Sequence, residues 1–369
     1  MDNQAISLYV HWPFCLSKCP YCDFNSHVRE NYSESDWQQT LLLELLHTRE
    51  LLGPRQIKSI FFGGGTPSLM QTQTVESIIN KTVKLFEVPD NLEVTLEANP
   101  NSVEVEKFKN LATAGVNRIS IGVQSLRENR LKELGRKHSL NEAIKAIETA
   151  INHFKRVSFD LIYATPNQTL EEWQDELHEA IAFGTEHLSL YQLTIEPNTP
   201  FERLHQRGEL TLPVDNLAAD LYELTNNICA ENDLFAYEVS NYSKTGAECK
   251  HNINYWQYGE YIGIGPGAHG RLLINGKRIA TRQYRSPERW LQESNKIEEA
   301  LELTDQEQEQ ERVLMGLRTI DGITWTKPIT TKIQALINGG FLIFEDHKLR
   351  ATSKGRLALQ AVLRYGFFD

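Results

Sequence analysis

Short apolar runs alternate with longer amphipathic stretches from the start of the chain, the pattern of βα units around a parallel sheet. Residues 6–10, 59–62, 92–96, 118–123, 156–162 and 187–193 read as strands. Apolar residues recur at helical spacing over 37–52, 75–85, 103–114, 140–152 and 170–183. Six strand–helix units over roughly the first 200 residues predict an α/β fold, an open six-unit (β/α) partial TIM barrel. An open lateral face suits a large substrate. A barrel of this kind carries its chemistry at the carboxyl ends of its strands.

The rhythm changes afterwards. Residues 217–232 read as a helix with Cys229 at a core position, and 261–270 (YIGIGPGAHG) as a glycine-rich loop. Residues 306–317 and 329–338 read as helices, 341–344 and 349–352 as a short hairpin, and 353–363 as a final helix. The expected division is a barrel over 1–235, an extension over 236–303 and a small C-terminal α+β winged-helix-like domain over 304–369, acting as a lid or docking surface.

Candidate chemistry gathers where the strands stop. The first strand delivers Cys15, Cys19 and Cys22, spaced C-x3-C-x2-C, three of the chain's five cysteines. The second runs into Gly63-Gly64-Gly65-Thr66-Pro67, where glycines precede a helix as in loops that bring bare backbone to a ligand. The next units end near Glu97, Gln124 and Asp160. Core packing gives no reason to crowd three thiols on one loop. A disulfide would strand one of them, zinc would need a fourth ligand such as His11, Asp23 or His27, and an iron–sulfur cluster would keep one iron open.

A net charge of −11 argues against a nucleic-acid binder. Residues 1–5 carry neither the basic patch nor the apolar run of a leader, and no stretch reaches the ~18 apolar residues of a membrane span. The expectation is a cytoplasmic protein, with peripheral membrane contact left open.

The cysteine spacing, with Tyr21 just before the last Cys, resembles the signature of the radical S-adenosylmethionine (radical SAM) superfamily. GGGTP is the form its glycine motif takes in the coproporphyrinogen III oxidase-like branch. The resemblance implies a [4Fe-4S] cluster on Cys15, Cys19 and Cys22, whose fourth iron takes the amino and carboxylate groups of S-adenosylmethionine. It places Tyr9 beside the cluster. Gly64, Gly65, Thr66, Glu97, Gln124, Arg136 and Asp160 become cofactor contacts, and Ala268 and His269 stand near the same cofactor. A carboxylate and an amide suit ribose hydroxyls, and a guanidinium suits a carboxylate. Read on its own, Arg136 in Gly135-Arg136-Lys137-His138 is also a solvated helix start.

Two departures separate the chain from the oxidases of that branch. They carry a further cysteine where Phe24 stands, and a long N-terminal extension where only fourteen residues precede Cys15. Cys22-Asp23-Phe24 and His251-Asn252-Ile253-Asn254-Tyr255-Trp256, an HNxxYW motif, resemble instead the heme-chaperone subgroup. That resemblance implies heme as ligand, with His251 on its iron and Cys249 as rival. Tyr255, Trp256 and Tyr258 would offer flat surface to the porphyrin. It further implies recipient hemoproteins, respiratory and membrane-associated ones included, an electron donor such as flavodoxin or ferredoxin, and compatibility with a homodimer. The competing readings are an oxygen-independent coproporphyrinogen III oxidase or another radical SAM enzyme of porphyrin metabolism, and a zinc-bound scaffold.

Overall fold

The computed structural model describes residues 5–29 and 31–368; residues 1–4, most of the stretch read for a leader, and residue 369 lie outside the described residues. Six strands alternate with helices as predicted: β1 (Ile6–Trp12), β2 (Ile57–Gly64), β3 (Glu93–Ala98), β4 (Arg118–Gln124), β5 (Arg156–Tyr163) and β6 (His187–Gln192). The longer helices between them are α1 (Glu34–Leu52), α2 (Thr72–Leu85), α3 (Leu140–His153) and α4 (Leu170–Ala182). The helix expected over 103–114 breaks into Ser102–Val105 and Phe108–Thr113.

The strands alternate, and the alternation sorts two environments. In β1, Ile6, Leu8, Val10 and Trp12 are fully buried in the core shared with the helices. Ser7, Tyr9 and His11 take the other face, because successive strand residues point to opposite sides. Register aligns them with their neighbours: Ser7 with Ser59, Ser59 with Glu93, Thr95 with Arg118, Glu97 with Ser120, Ser158 with His187 and Asp160 with Ser189. The concave face of the sheet is therefore largely polar, with Phe61 and Ile162 among its apolar members, and the main apolar core lies outside it.

Past α5 (Asp215–Glu231) come β7 (Phe235–Ala236), β8 (Asn241–Ser243), the short helix α6 (Lys250–Trp256), β9 (Tyr261–Ile264), β10 (His269–Ile274), β11 (Lys277–Gln283) and β12 (Ile297–Glu302). All join one twelve-stranded sheet, ordered β12-β11-β10-β9-β1-β2-β3-β4-β5-β6-β8-β7. β9 pairs parallel with β1, opposite β2. The run read as a glycine loop thus begins as a seventh parallel strand. Its partner lies about 250 residues away, so no local pattern reveals it. The β10–β11 hairpin turns on Asn275-Gly276, both at positive φ, the usual chemistry of a two-residue turn.

The C-terminal residues add α7 (Asp305–Gly316), β13 (Ile323–Thr324), α8 (Thr331–Asn338), β14 (Leu342–Glu345), β15 (Lys348–Ala351) and α9 (Leu359–Gly366). The final helix expected over 353–363 breaks at Ala358, and Leu359, Val362 and Leu363 are buried in this module's own core. Arg318–Glu238 at 3.0 Å and Arg271–Glu311 at 2.7 Å tie the module to the sheet. Among the described residues no helix is long and apolar enough to cross a membrane.

Candidate functional site

The carboxyl end of β1 turns directly into the cysteine loop, and several contacts hold that loop. His27 N–H donates to the Pro13 carbonyl at 2.7 Å, and Phe14 stacks on Tyr32 at 4.3 Å. Asn25 Nδ2 donates to the carbonyls of Pro266 and Arg285, each at 2.9 Å. His11 Nε2–H donates to the Asn25 carbonyl at 2.9 Å, which leaves Nδ1 to accept from the Tyr9 hydroxyl at 3.1 Å. Tyr9 therefore acts on the loop through His11.

Cys15, Cys19 and Cys22 are free thiols, partly exposed. Two of them receive donors: Thr66 Oγ1 to Cys15 Sγ at 3.3 Å, and an Arg136 guanidinium nitrogen to Cys19 Sγ at 3.2 Å. Burial pushes the Cys15 and Cys22 thiols up, so a bound cation or cluster is what would make them thiolates. Among the described residues no three His, Cys, Asp or Glu side chains converge on a single ion. His11 and His27, two of the fourth ligands a zinc site would need, each hold Asn25. Three soft thiols on one anchored loop, with N–H and O–H donors aimed at sulfur, fit an iron–sulfur cluster.

The glycine loop packs against this one. Gly65 N–H donates to the Trp12 carbonyl at 2.7 Å and Thr66 N–H to the Phe14 carbonyl at 2.8 Å. A Cβ on Gly65 would stand 2.7 Å from the Phe14 carbonyl oxygen, and one on Gly64 within 2.6–2.8 Å of the His11 ring. The glycines are thus required by loop-on-loop contact.

Arg136 is not a solvated helix start. Besides Cys19 it reaches Asn99 Oδ1 at 2.6 Å and the Gly122 carbonyl at 2.7 Å. Asn99 in turn donates to Thr66 at 3.0 Å, which makes it the bridge between the two residues that donate to Cys15 and Cys19. Sequence reasoning passed over Asn99. Its one signal was its place at the end of β3, in Glu97-Ala98-Asn99-Pro100. Gln124 carries a positive φ of 74° where the β4–β5 pairing slips, a costly backbone that occurs where a side chain must be re-aimed.

Glu97, Gln124 and Asp160 line a cavity of about 900 Å³ at the barrel mouth, together with Cys22 and Phe24. Glu97 also lines an adjoining cavity of about 340 Å³, with Tyr9, Gly64 and His269. Ala268 lies buried beside it, its carbonyl taking the Gln283 N–H at 2.9 Å. Burial, reinforced by Asp160, pushes the Glu97 carboxyl up to about 8; burial pushes Asp160 up to about 6, opposed by Ser189 and Ser120. A folded-state carboxyl that holds its proton above the unfolded range makes the protein lose stability as pH rises from about 4.5 to about 8. Glu97→Gln is expected to flatten the fall of melting temperature across that window in ligand-free protein. An identical slope in wild type and variant would refute the assignment.

His251 lies at the other end of the barrel, on the side of Ser7 and Ser59. Glu93 receives the N–H groups of Lys250 and His251, each at 3.1 Å, and so caps the start of α6. Ser59 donates to Ser7, so His251 Nδ1–H donates to Ser59 at 3.0 Å, and Nε2 accepts from the Tyr255 hydroxyl at 2.9 Å. The ring stacks on Phe61 at 4.9 Å, and burial, with Arg118 and Lys58, pushes its pKa down to about 3. Cys249 is fully buried beside Glu93 and is pushed up to about 11 by that burial. Neither residue shares a cavity with the cysteines.

A model of the radical SAM superfamily matches residues 9–180. The mitochondrial radical S-adenosyl methionine domain-containing protein 1 of Danio rerio is 36% identical over 380 residues, covering 97% of this chain and 86% of that one. The heme chaperone HemW of Haemophilus influenzae is 42% identical over 275 residues, covering 73% and 71%. The HemW of Escherichia coli is 41% identical over 290 residues, covering 78% and 76%. Among solved structures, coproporphyrinogen III oxidase (HemN) of Escherichia coli superposes with a TM-score of 0.80 over 99% of this chain and 90% of that one, at 18% identity, a likeness of fold. With its cysteine loop at the mouth of this barrel, the chain belongs to the radical SAM superfamily, among the relatives of the HemW heme chaperones.

Proposed function

We propose that this protein binds heme and passes it to hemoproteins, holding a [4Fe-4S] cluster on Cys15, Cys19 and Cys22 and S-adenosylmethionine against the strand ends. The observation that carries this reading is the cavity of about 900 Å³ at the barrel mouth, in a chain that resembles HemW proteins over most of its length. Its volume is near the top of the ~300–1,000 Å³ range of small-molecule sites, and its walls are largely apolar and aromatic, with Tyr163, Tyr191 and Tyr222 among them. When bound, the cluster supplies an open iron for the amino and carboxylate groups of S-adenosylmethionine and the electron that cleaves it. The chain's own residues hold and orient. Thr66 and Arg136 donate to sulfur, Asn99 ties them together, and Glu97, Gln124 and Asp160 offer acceptors to ribose hydroxyls.

Coproporphyrinogen oxidation is the second reading, favoured by the fold shared with HemN. Against it stands Phe24, 60% exposed in the cysteine loop at the position where those oxidases carry a further cysteine. Recipient hemoproteins, membrane-associated ones included, a flavodoxin- or ferredoxin-like electron donor and a cytoplasmic location complete the proposal.

The HNxxYW motif nominates His251 for the heme iron. In this arrangement that bond would replace the hydrogen bond from Tyr255 to Nε2, so α6 has to shift for heme to reach it. Hemin titration of anaerobically reconstituted protein, followed by the Soret band, tests both levels. Stoichiometric binding is expected, with a weaker or spectrally altered complex in His251→Ala. A variant complex identical to wild type moves the iron ligand elsewhere, with Cys249 next. Absence of saturable binding overturns the chaperone reading, and turnover of coproporphyrinogen becomes the assay to run.

A further inference from the structure

The cavity at the barrel mouth has two chemically different walls. On the barrel side stand the carboxyl groups of Asp23, Glu97, Asp160 and Glu196. Facing them from the C-terminal module are Arg318 and Arg356, set among Leu314, Leu357, Leu359 and Leu363. Neither guanidinium is used up by the protein. Arg318 gives one nitrogen to Glu238 at 3.0 Å, and Arg356 gives one to the Ala351 carbonyl at 2.8 Å. In both, Nε is buried and without a hydrogen-bond partner. Among the described residues Arg356 pairs with no carboxylate. Planar donors in surplus on an apolar wall are the arrangement that takes carboxylates attached to an apolar body.

We infer that Arg318 and Arg356 bind the two propionate carboxylates of heme in this cavity, an assignment that rests on the heme-binding reading above but not on His251 as the iron ligand, since His251 does not line it. The charge pattern fixes the orientation. Asp23, Asp160 and Glu196 on the barrel wall repel the propionates, the two arginines attract them, and the leucines between cover the porphyrin face. Arg318 is itself held in place from below: its guanidinium lies 4.7 Å from the centroid of the Trp256 ring, while buried Glu238 pairs with it. Trp256 ends the HNxxYW motif. The motif therefore reaches the cavity as a positioning element, through its last residue, even with His251 buried at the far end of the barrel.

Hemin and hemin dimethyl ester, in which both carboxylates are masked, are titrated into the full reconstituted chain. Wild type is expected to bind hemin about tenfold or more tightly than the ester, the loss of charge-assisted hydrogen bonds. Arg318→Gln combined with Arg356→Gln is expected to bring hemin down to the affinity of the ester, while ester binding stays at the wild-type level and reports that the cavity is intact. Trp256→Leu is expected to weaken hemin in the same direction by less. Equal affinities for hemin and ester in wild type would overturn the inference while leaving heme binding standing, and this comparison needs no variant to fold. A preference for hemin that survives the double substitution overturns it as well. No saturable hemin binding by wild type removes the heme-binding reading and the inference with it.

Discussion

Replacing any one of Cys15, Cys19 or Cys22 by alanine is expected to take the anaerobically reconstituted chain from about four iron atoms and four acid-labile sulfides to almost none. The reason is that the three ligands come from one short loop and have no substitutes. Cys229 lies buried on α5, and Cys249 lies buried at the opposite end of the barrel. Removing one thiol leaves a cube with two unheld irons. Arg136→Ala is the informative companion: it keeps all three thiols and deletes the donor to Cys19. It should retain iron and lose it faster to a chelator, with a shifted reduction potential, because hydrogen bonds to cluster sulfurs tune that potential. Full iron and sulfide content in a single cysteine variant would refute the assignment of these ligands.

The largest loss of stability is expected from Glu93→Ala. Glu93 is buried at the lower end of β3, where its carboxylate takes the Arg156 guanidinium at 2.6 Å and two N–H groups at the start of α6. Deleting it leaves two amides and the Cys249 thiol without their acceptor, and leaves Arg156 to Glu186 and the carbonyls of Ala247 and Glu248. With Arg156 still paired to Glu186, the two orphaned buried amides, at ~1–3 kcal/mol each, set an expected loss of ~2–6 kcal/mol. Denaturant unfolding of the ligand-free protein measures it, and a loss under ~1 kcal/mol would mean that Glu93 does not anchor the helix. Because α6 carries His251 and Trp256, the variant should also weaken hemin binding in proportion to its unfolding. That distinguishes it from Arg318→Gln, which acts at the cavity.

The first six strands and the cysteine loop were legible because their signals are local. Alternation with period two, helical spacing and abrupt glycines after Phe62 all lie within a few residues of one another. What was not legible depends on distant partners. β9 becomes a strand only through β1, while Asn99 gains its role only where Thr66 and Arg136 meet it. Lys250–Trp256 has no apolar stripe, so His251 reads as a surface histidine in an aromatic loop. It is buried because Ser59, Phe61 and Glu93 close over it from other strands. The Asn275-Gly276 turn is the one omission that a local signal could have repaired. Arg318 and Arg356 sit in charged stretches of a helical module, and only the cavity wall distinguishes them from solvated side chains.

The pairing of β1 with β9, and of Asn25 with the carbonyls of Pro266 and Arg285, also sets a timetable for biosynthesis. A chain leaving the ribosome N-terminus first shows its cysteine loop early, but the strand and carbonyls that hold it emerge some 240–260 residues later. Until then β1 has one open edge, and its cysteine loop is held only from the side of β2 and β4, by Gly65, Thr66 and Arg136. Iron delivered before Arg285 has emerged would meet its ligands on a half-built frame. The module bearing Arg318 and Arg356 is translated after the barrel strands, and the far wall of the cavity arrives only when the barrel is already complete.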